Sequence, residues 1–136
     1  MSEILLAEDN PADVYLIREA LKQHEVQCVV RTAADGKDVL TLIASADTGW
    51  HPDLIILDLN LPRHDGLEIL QKVRSTAATA HVPVVVLTSS DSPRDRITAT
   101  QLGATRYLSK PSNLEQFLQL GAVFKELLTV RSKTAD

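Results

Sequence analysis

The sequence is poor in the features that would place a protein outside the cytoplasm or in a membrane. Cys28 is the single cysteine among 136 residues, so no internal disulfide can form and we expect a reducing compartment. No apolar run approaches the ~20 residues that a membrane-spanning helix needs. The N-terminal stretch MSEILLAEDN has neither the basic nor the long apolar segment of a signal peptide. We therefore expect a soluble, cytoplasmic protein without membrane contact.

The sequence also has fewer basic than acidic residues. The 14 basic residues face 18 acidic ones, which leaves a formal net charge of -4. Domains that bind nucleic acid usually present a clustered excess of Lys and Arg. We therefore expect no nucleic-acid partner.

What the chain does contain is a regular alternation of short apolar runs and amphipathic stretches. The runs at 54–57 and 84–87 are almost wholly apolar, as buried parallel strands require. The pattern predicts strands at 4–7, 26–31, 54–57, 84–87 and 105–109, alternating with helices at 13–22, 38–46, 66–75, 94–102 and 113–128. Strict alternation predicts an α/β fold with helices on both faces of a parallel sheet. We expect one domain over 1–128, a short polar C-terminal tail over 129–136, and no output domain.

Polar residues follow four of the predicted strands at the point where each strand ends. Glu8 and Asp9 follow the first, Asp58 the third, Thr88 the fourth and Lys110 the fifth. Ligands of open parallel sheets bind beyond the carboxyl ends of the strands. Each residue alone could be an ordinary turn or helix-cap residue. Their joint placement at four strand ends indicates instead a site at one edge of the sheet.

The residue types at this edge suit phosphoryl chemistry. Crowded carboxylates repel one another, so at least one pKa should rise unless a cation intervenes. Oxygen ligands without clustered His or Cys favour a hard cation, Mg2+ or Mn2+. A carboxylate can act as a nucleophile and become an aspartyl phosphate, and Asp58 is the best placed to do so. Lys110 would add positive charge beside it.

The motifs that carry these residues resemble the receiver domain of bacterial two-component response regulators. The matching segments are ILLAEDN, AADG, LIILDLNLPRHDG, VVVLTSS and GATRYLSKP, within about residues 3–128. The run LDLNLP is most similar to the stand-alone regulators associated with bacteriophytochromes. The resemblance implies a flavodoxin-like receiver fold with a five-stranded parallel sheet in the order 2-1-3-4-5.

The resemblance also implies a role for each site residue. Asp58 would accept a phosphoryl group from a histidine of a sensor histidine kinase, with a bacteriophytochrome as the candidate kinase. Glu8, Asp9 and Asp58, with the backbone carbonyl of Asn60, would hold Mg2+. A second set would respond to the phosphoryl group: Thr88 would bind one of its oxygens, Lys110 would pair with it, and Tyr107 would be the aromatic switch. The peptide bond between Lys110 and Pro111 would be cis.

These implied roles describe a phosphorylation-dependent signalling switch that assists its own phosphorylation and dephosphorylation and is not a metabolic enzyme. The alternative is a receiver-fold scaffold that binds partners without phosphorylation, although the intact acid, Thr and Lys set argues against it. A Mg2+-dependent phosphatase would usually carry a second acid two residues after the nucleophile. That position is Asn60, which cannot act as a general acid or base.

The last predicted helix is apolar over more than one face. Leu120, Val123 and Leu127 widen the stripe that should cover the sheet. One interpretation is that they pack against the first helix. The other is an exposed patch that docks a kinase or forms a homodimer, and we expect an interface centred on these three residues.

Overall fold

Five parallel strands form one sheet in the order β2-β1-β3-β4-β5, which confirms the predicted fold class. The structure is a computed structural model that describes residues 1–45, 51–62, 65–89 and 92–134, with residues 130–134 described by their backbone alone. The strands are β1 (Ser2–Ala7), β2 (Cys28–Ala33), β3 (Leu54–Leu57), β4 (Val84–Thr88) and β5 (Arg106–Ser109).

The helices alternate with the strands along the chain: α1 (Pro11–Gln23), α2 (Gly36–Ala44), α3 (Gly66–Ser75), α4 (Pro93–Gln101) and α5 (Leu114–Thr134). Polar side chains cap their N-termini, as those of short helices usually must be. The Asn113 side chain, for example, accepts a hydrogen bond from the backbone N–H of Gln116 at the start of α5. None of the helices in the described part of the chain is both long and apolar enough to cross a membrane.

Strand β2 begins later than predicted because the chain is still leaving α1. Glu25 adopts a left-handed conformation with φ of 57°, and the Val26 N–H donates to the carbonyl of Leu21. Val26 is therefore held at the end of a helix rather than in the sheet. Its apolar side chain packs against the core from this turn, which explains why the sequence pattern extended the strand too far back.

Helix α5 extends to Thr134, so the predicted end of this helix at residue 128 is wrong. Most of the segment that we expected to be a polar tail continues the helix. Neither Gly nor Pro follows Leu128, and such residues are the usual stop signals for a helix. A change from apolar to polar side chains marks a change of surroundings and does not by itself end a helix.

The central strands are buried on both faces, and alternate side chains enter two separate cores. Ile55 and Leu57 of β3 point into the core under α2, α3 and α4. Leu54 and Ile56 point into the opposite core under α1 and α5. All four side chains are at most 1% exposed, so β3 is held rigidly in the middle of the sheet.

The predicted protein interface on α5 is wrong, because its residues lie in the core. Leu120 is 9% and Leu127 8% exposed, and Val123 is half-buried against the same apolar cluster. Helix α1 packs at close range on the adjoining face of α5, which carries Gly121. A Cβ atom at Gly121 would lie 2.2 Å from the carbonyl oxygen of Ala20, so only glycine permits this approach. The wide apolar stripe is explained by packing of α5 on both the sheet and α1.

Candidate functional site

The carboxyl ends of the strands bring the predicted site residues together at one edge of the sheet. Backbone hydrogen bonds continue the sheet ladder past the strand ends. The N–H groups of Glu8, Asp58 and Lys110 donate to the backbone carbonyl oxygens of Ala33, Ala7 and Thr88, respectively. The side chains of these residues are therefore fixed by the sheet. Glu8 and Asp58 are buried at 3% and 5% exposure, so both carboxyl groups are largely removed from water.

Lys110 lies at the centre of the site. Its Nζ donates to Oε1 of Glu8, to Oδ2 of Asp13 at 2.7 Å and to Oδ2 of Asp58 at 2.9 Å. An ammonium group has three N–H donors, and each has a carboxylate partner here. The predicted approach of Lys110 to Asp58 is therefore present in the structure.

The surroundings separate the pKa values of the buried acids. Burial raises the pKa of Glu8 to about 7 against the opposing hydrogen bond from Lys110, and the nearby Asp58 adds to the rise. Burial acts in the same direction on Asp58, but hydrogen bonds from the Asn60 N–H and Lys110 hold its pKa below the usual range. The pKa of Lys110 is lowered by burial but raised more strongly by its three carboxylates, and lies above its usual range. Asp58 is thus kept ionised, the form that can act as a nucleophile.

Three of the acids could hold a metal ion. Carboxylate oxygens of Glu8, Asp9 and Asp58 lie within 4.8 Å of one another. Asp9 is exposed while the other two are buried, so the group opens toward solvent on one side. An all-oxygen set of carboxylates fits a hard divalent cation such as Mg2+ or Mn2+.

Asn60 connects the acceptor to the fourth strand. Its backbone N–H donates to Oδ1 of Asp58 at 2.9 Å, and its side-chain amide donates to Oγ1 of Thr88 at 3.2 Å. Thr88 is fully buried at the end of β4. Its hydroxyl is thus linked to Asp58 through a single residue. The predicted metal contact of the Asn60 carbonyl stays a prediction.

Tyr107 lies on β5 with its ring half-buried against the core under α2, α3 and α4. The guanidinium carbon of Arg96 lies 5.0 Å from the ring centroid, within the range of a cation–π contact. The switch role of Tyr107 stays a prediction. The expected cis bond before Pro111 is wrong, because the described chain contains no cis peptide; X-Pro bonds keep a modest preference for trans.

The residue that sequence reasoning missed is Asp13. It lies in the first turn of α1, where Asn10 caps the helix by accepting from the N–H groups of Ala12 and Asp13. A usable signal was present in the segment EDNPAD. A helix that begins directly after β1 must place its first turn at the same edge of the sheet as the end of that strand. An acid in that turn therefore faces Lys110.

Comparison with known proteins agrees with this geometry. The model of the response regulator receiver domain family matches residues 4–121. The response regulator Rcp1 of Synechocystis sp. is 34% identical over 120 residues, covering 86% of this chain and 82% of Rcp1. Several other relatives that match are longer, and the chain spans between 42% and 47% of their length.

Solved structures show the same likeness. The phosphorylated cyanobacterial phytochrome response regulator RcpA superposes with a TM-score of 0.86 at 36% identity, covering 94% of each chain. The Mn2+-bound form of Rcp1 superposes with a TM-score of 0.84 at 32% identity, covering 93% of each chain. The chain belongs to the response regulator receiver domain family, and it is similar to the cyanobacterial phytochrome response regulator RcpA.

Proposed function

We propose that the protein is a phosphoacceptor switch in which Asp58 receives a phosphoryl group from a histidine of a sensor kinase. The observation that carries this proposal is the arrangement around Asp58. One carboxylate oxygen accepts from the Asn60 N–H and the other from Lys110, and two further acids lie within metal-binding reach. Phosphoryl transfer depends mainly on positioning and on charge neutralisation, which are what these groups supply.

In the transfer step an ionised oxygen of Asp58 attacks phosphorus. The new O–P bond forms as the P–N bond of the phosphohistidine breaks, and the leaving nitrogen keeps the electron pair. Glu8, Asp9 and Asp58, with the Asn60 carbonyl, would hold a divalent cation that offsets charge on the phosphoryl oxygens. Lys110 would exchange its hydrogen bond with Asp58 for one with a phosphoryl oxygen.

Signalling would follow from the groups that contact the phosphoryl oxygens. Thr88 would turn its hydroxyl from Asn60 toward the modified Asp58, and Tyr107 on the neighbouring strand would respond. A bound group can shift such an equilibrium only by its differential affinity for the two states. The output is a changed protein surface, and the protein is a switch rather than a metabolic enzyme.

The proposed partner is a sensor histidine kinase, with a phytochrome as its photoreceptor. RcpA is described as a phytochrome response regulator, and its likeness to this chain supports a partner of the same kind. The exchange is proposed to occur in the cytoplasm, as the sequence suggested. A homodimer through the buried face of α5 is not part of this proposal.

The proposal is tested by exposing the protein to acetyl phosphate and Mg2+ and measuring intact mass. We expect one added phosphoryl group on the parent and on Asp38→Asn, a control that removes an exposed acid in the first turn of α2. We expect none on Asp58→Asn. Equal labelling of Asp58→Asn and the parent would contradict the assignment, and an unlabelled parent would favour a binding scaffold.

A phytochrome kinase provides the test of the partner. The purified kinase, autophosphorylated in the state of illumination that activates it, should transfer its phosphoryl group to this protein faster than an unrelated sensor kinase does. Equal or slower transfer from the phytochrome would count against a light-sensing partner. It would leave the role of Asp58 intact.

A further inference from the structure

Asp13 is the partner of Lys110 that the proposed chemistry does not use. Its Oδ2 accepts from Nζ at 2.7 Å, as short as a charge-assisted hydrogen bond usually is. The side chains of Asp13 and Lys110 are 18% and 12% exposed, so the pair is mostly shielded from water and salt. Such a pair holds its geometry better than a surface ion pair does.

The other two partners of Lys110 have duties in the transfer step. Glu8 belongs to the group of acids that could hold the metal, and Asp58 is both a member of that group and the acceptor. Asp13 does not belong to that group of possible metal ligands, but it does contact Lys110. When the hydrogen bond to Asp58 is exchanged for one to a phosphoryl oxygen, the contact with Asp13 can persist.

The position of Asp13 in the first turn of α1 favours a fixed contact with Lys110. Asp13 is the third residue after the cap Asn10, whose side chain accepts from the N–H groups of Ala12 and Asp13, and Pro11 fixes the start of the helix. The positive end of the helix dipole favours an ionised carboxylate in this turn. Helix α1 is itself packed tightly on α5 at Gly121.

We propose that Asp13 is a positioning residue for transfer to Asp58, holding Lys110 Nζ beside the acceptor while the other contacts of Lys110 change. This inference rests on the proposed function. Without the contact, the long Lys110 side chain would sample other rotamers, and its ammonium group would no longer be prepared for the developing charge. Small misplacements of a charge-stabilising group are costly in rate.

The rate of phosphorylation by acetyl phosphate, measured at saturating Mg2+, tests the proposal. Asp13→Ala should react at least about fivefold more slowly than the parent, because the anchor for Lys110 is lost. Asp13→Asn keeps an acceptor oxygen at the same place and should react within about twofold of the parent. Asp13→Glu keeps the charge but moves the carboxylate by one methylene, and should be slow like Asp13→Ala.

Asp38→Ala is the matched control. Asp38 is also the third residue after a helix cap, in α2, and its N–H donates to the cap Asp35 as that of Asp13 does to Asn10. It is exposed, and the ion pairs of Lys110 among the described residues are with Glu8, Asp13 and Asp58, so removal of Asp38 should leave the rate unchanged. An equal loss in Asp38→Ala would overturn the proposal, as would an Asp13→Ala rate equal to that of the parent or an Asp13→Asn rate as low as that of Asp13→Ala.

A second readout needs neither metal nor phosphodonor. In the metal-free parent, nitrogen-15 NMR should show slow exchange of the Lys110 ammonium protons with water, because all three are hydrogen-bonded. Asp13→Ala should speed that exchange and Asp38→Ala should not. Unchanged exchange in Asp13→Ala would contradict the role of Asp13 as the anchor of Lys110.

If Asp13→Ala does not fold, Asp13→Glu supplies both measurements. A parent that gains no phosphoryl group defeats the proposed function itself, whereas normal labelling of the parent with an unaffected Asp13→Ala defeats this inference alone.

Discussion

At the scale of single residues, the site is an acid cluster held together by one lysine. Glu8, Asp13 and Asp58 each contact Lys110 Nζ, and the two buried acids have little water to screen them. Buried carboxylates without a counter-ion repel and lose solvation. Lys110 therefore has a structural role in the metal-free protein as well as its role toward a phosphoryl group.

Lys110→Met should show this structural role. We expect the metal-free variant to lose about 3 kcal/mol of unfolding free energy, because partners of a buried charge are left uncompensated. Millimolar Mg2+ should restore part of the loss, since a ligand that binds only the folded state stabilises it. Urea unfolding with EDTA and with Mg2+ measures both effects, with the exposed Lys37→Met as the control. A Lys110→Met protein as stable as the parent in EDTA would show that the acids do not need the lysine.

Arg74 is a second residue with an unusual set of contacts, on the opposite edge of the sheet. Its guanidinium donates to the carbonyl oxygens of Val82 at 2.6 Å and Gly103 at 2.8 Å, and also to those of Thr79 and Ala80. It thereby ties the loop before β4 to the loop before β5. The bonds to Thr79, Ala80 and Val82 are partly buried, and a carbonyl group there that loses its donor bears a cost of desolvation.

Arg74→Met should accordingly destabilise the protein by about 1–2 kcal/mol. Lys72→Met, an exposed position on the same helix, should stay within about 0.5 kcal/mol of the parent. Urea unfolding of the three proteins makes the comparison. Equal midpoints for the two variants would mean that water replaces the guanidinium without cost.

At the scale of elements, the packing of α5 on α1 depends on one glycine. Gly121→Ala would normally strengthen a helix by about 1 kcal/mol. Here the new Cβ would lie 2.2 Å from the Ala20 carbonyl oxygen, so the two helices must separate. Overpacking of this kind typically costs about 1–3 kcal/mol. Thermal or urea unfolding should therefore show a net loss of stability, and a gain would contradict the close approach of the helices.

Substitution of Leu127 tests whether this face of α5 is buried in the core or forms a protein interface. Leu127→Ala should cost about 2–4 kcal/mol of unfolding free energy, because the side chain is 8% exposed in the core. Leu114→Ala, at a position 60% exposed near the start of α5, should cost much less. Sedimentation of folded Leu127→Ala should match that of the parent. A folded, equally stable variant with a changed sedimentation coefficient would restore the interface interpretation.

The differences between sequence and structure at this scale have a common cause. Burial on both faces made β3 and its end at Asp58 predictable, because a continuous apolar run has few other solutions. The apolar stripe of α5 was ambiguous, because a sequence does not say whether an apolar helix face packs inside its own chain or docks a partner protein. Asp13 was missed for the same reason: its role depends on where α1 begins relative to Lys110, a contact between segments far apart in the chain.

At the scale of the whole molecule, the sheet divides two tasks. Its interior strands fill two apolar cores, and their carboxyl ends present the acids and Lys110 at one edge. The chain as a whole carries a net charge of -4, and part of that negative charge is concentrated at this edge. Rigid mounting is what transfer to a single carboxylate requires, since four acids lie close together and Asp58 alone is proposed to react.

The central claim, that Asp58 is that carboxylate, is tested most directly by locating the acyl phosphate in the unmodified protein. The parent is treated with acetyl phosphate and Mg2+, reduced with borohydride, which converts an acyl phosphate to an alcohol, and digested for peptide mass spectrometry. The account predicts reduction at Asp58 and no reduction at Glu8, Asp9 or Asp13. Reduction at one of those three acids with Asp58 intact would contradict it.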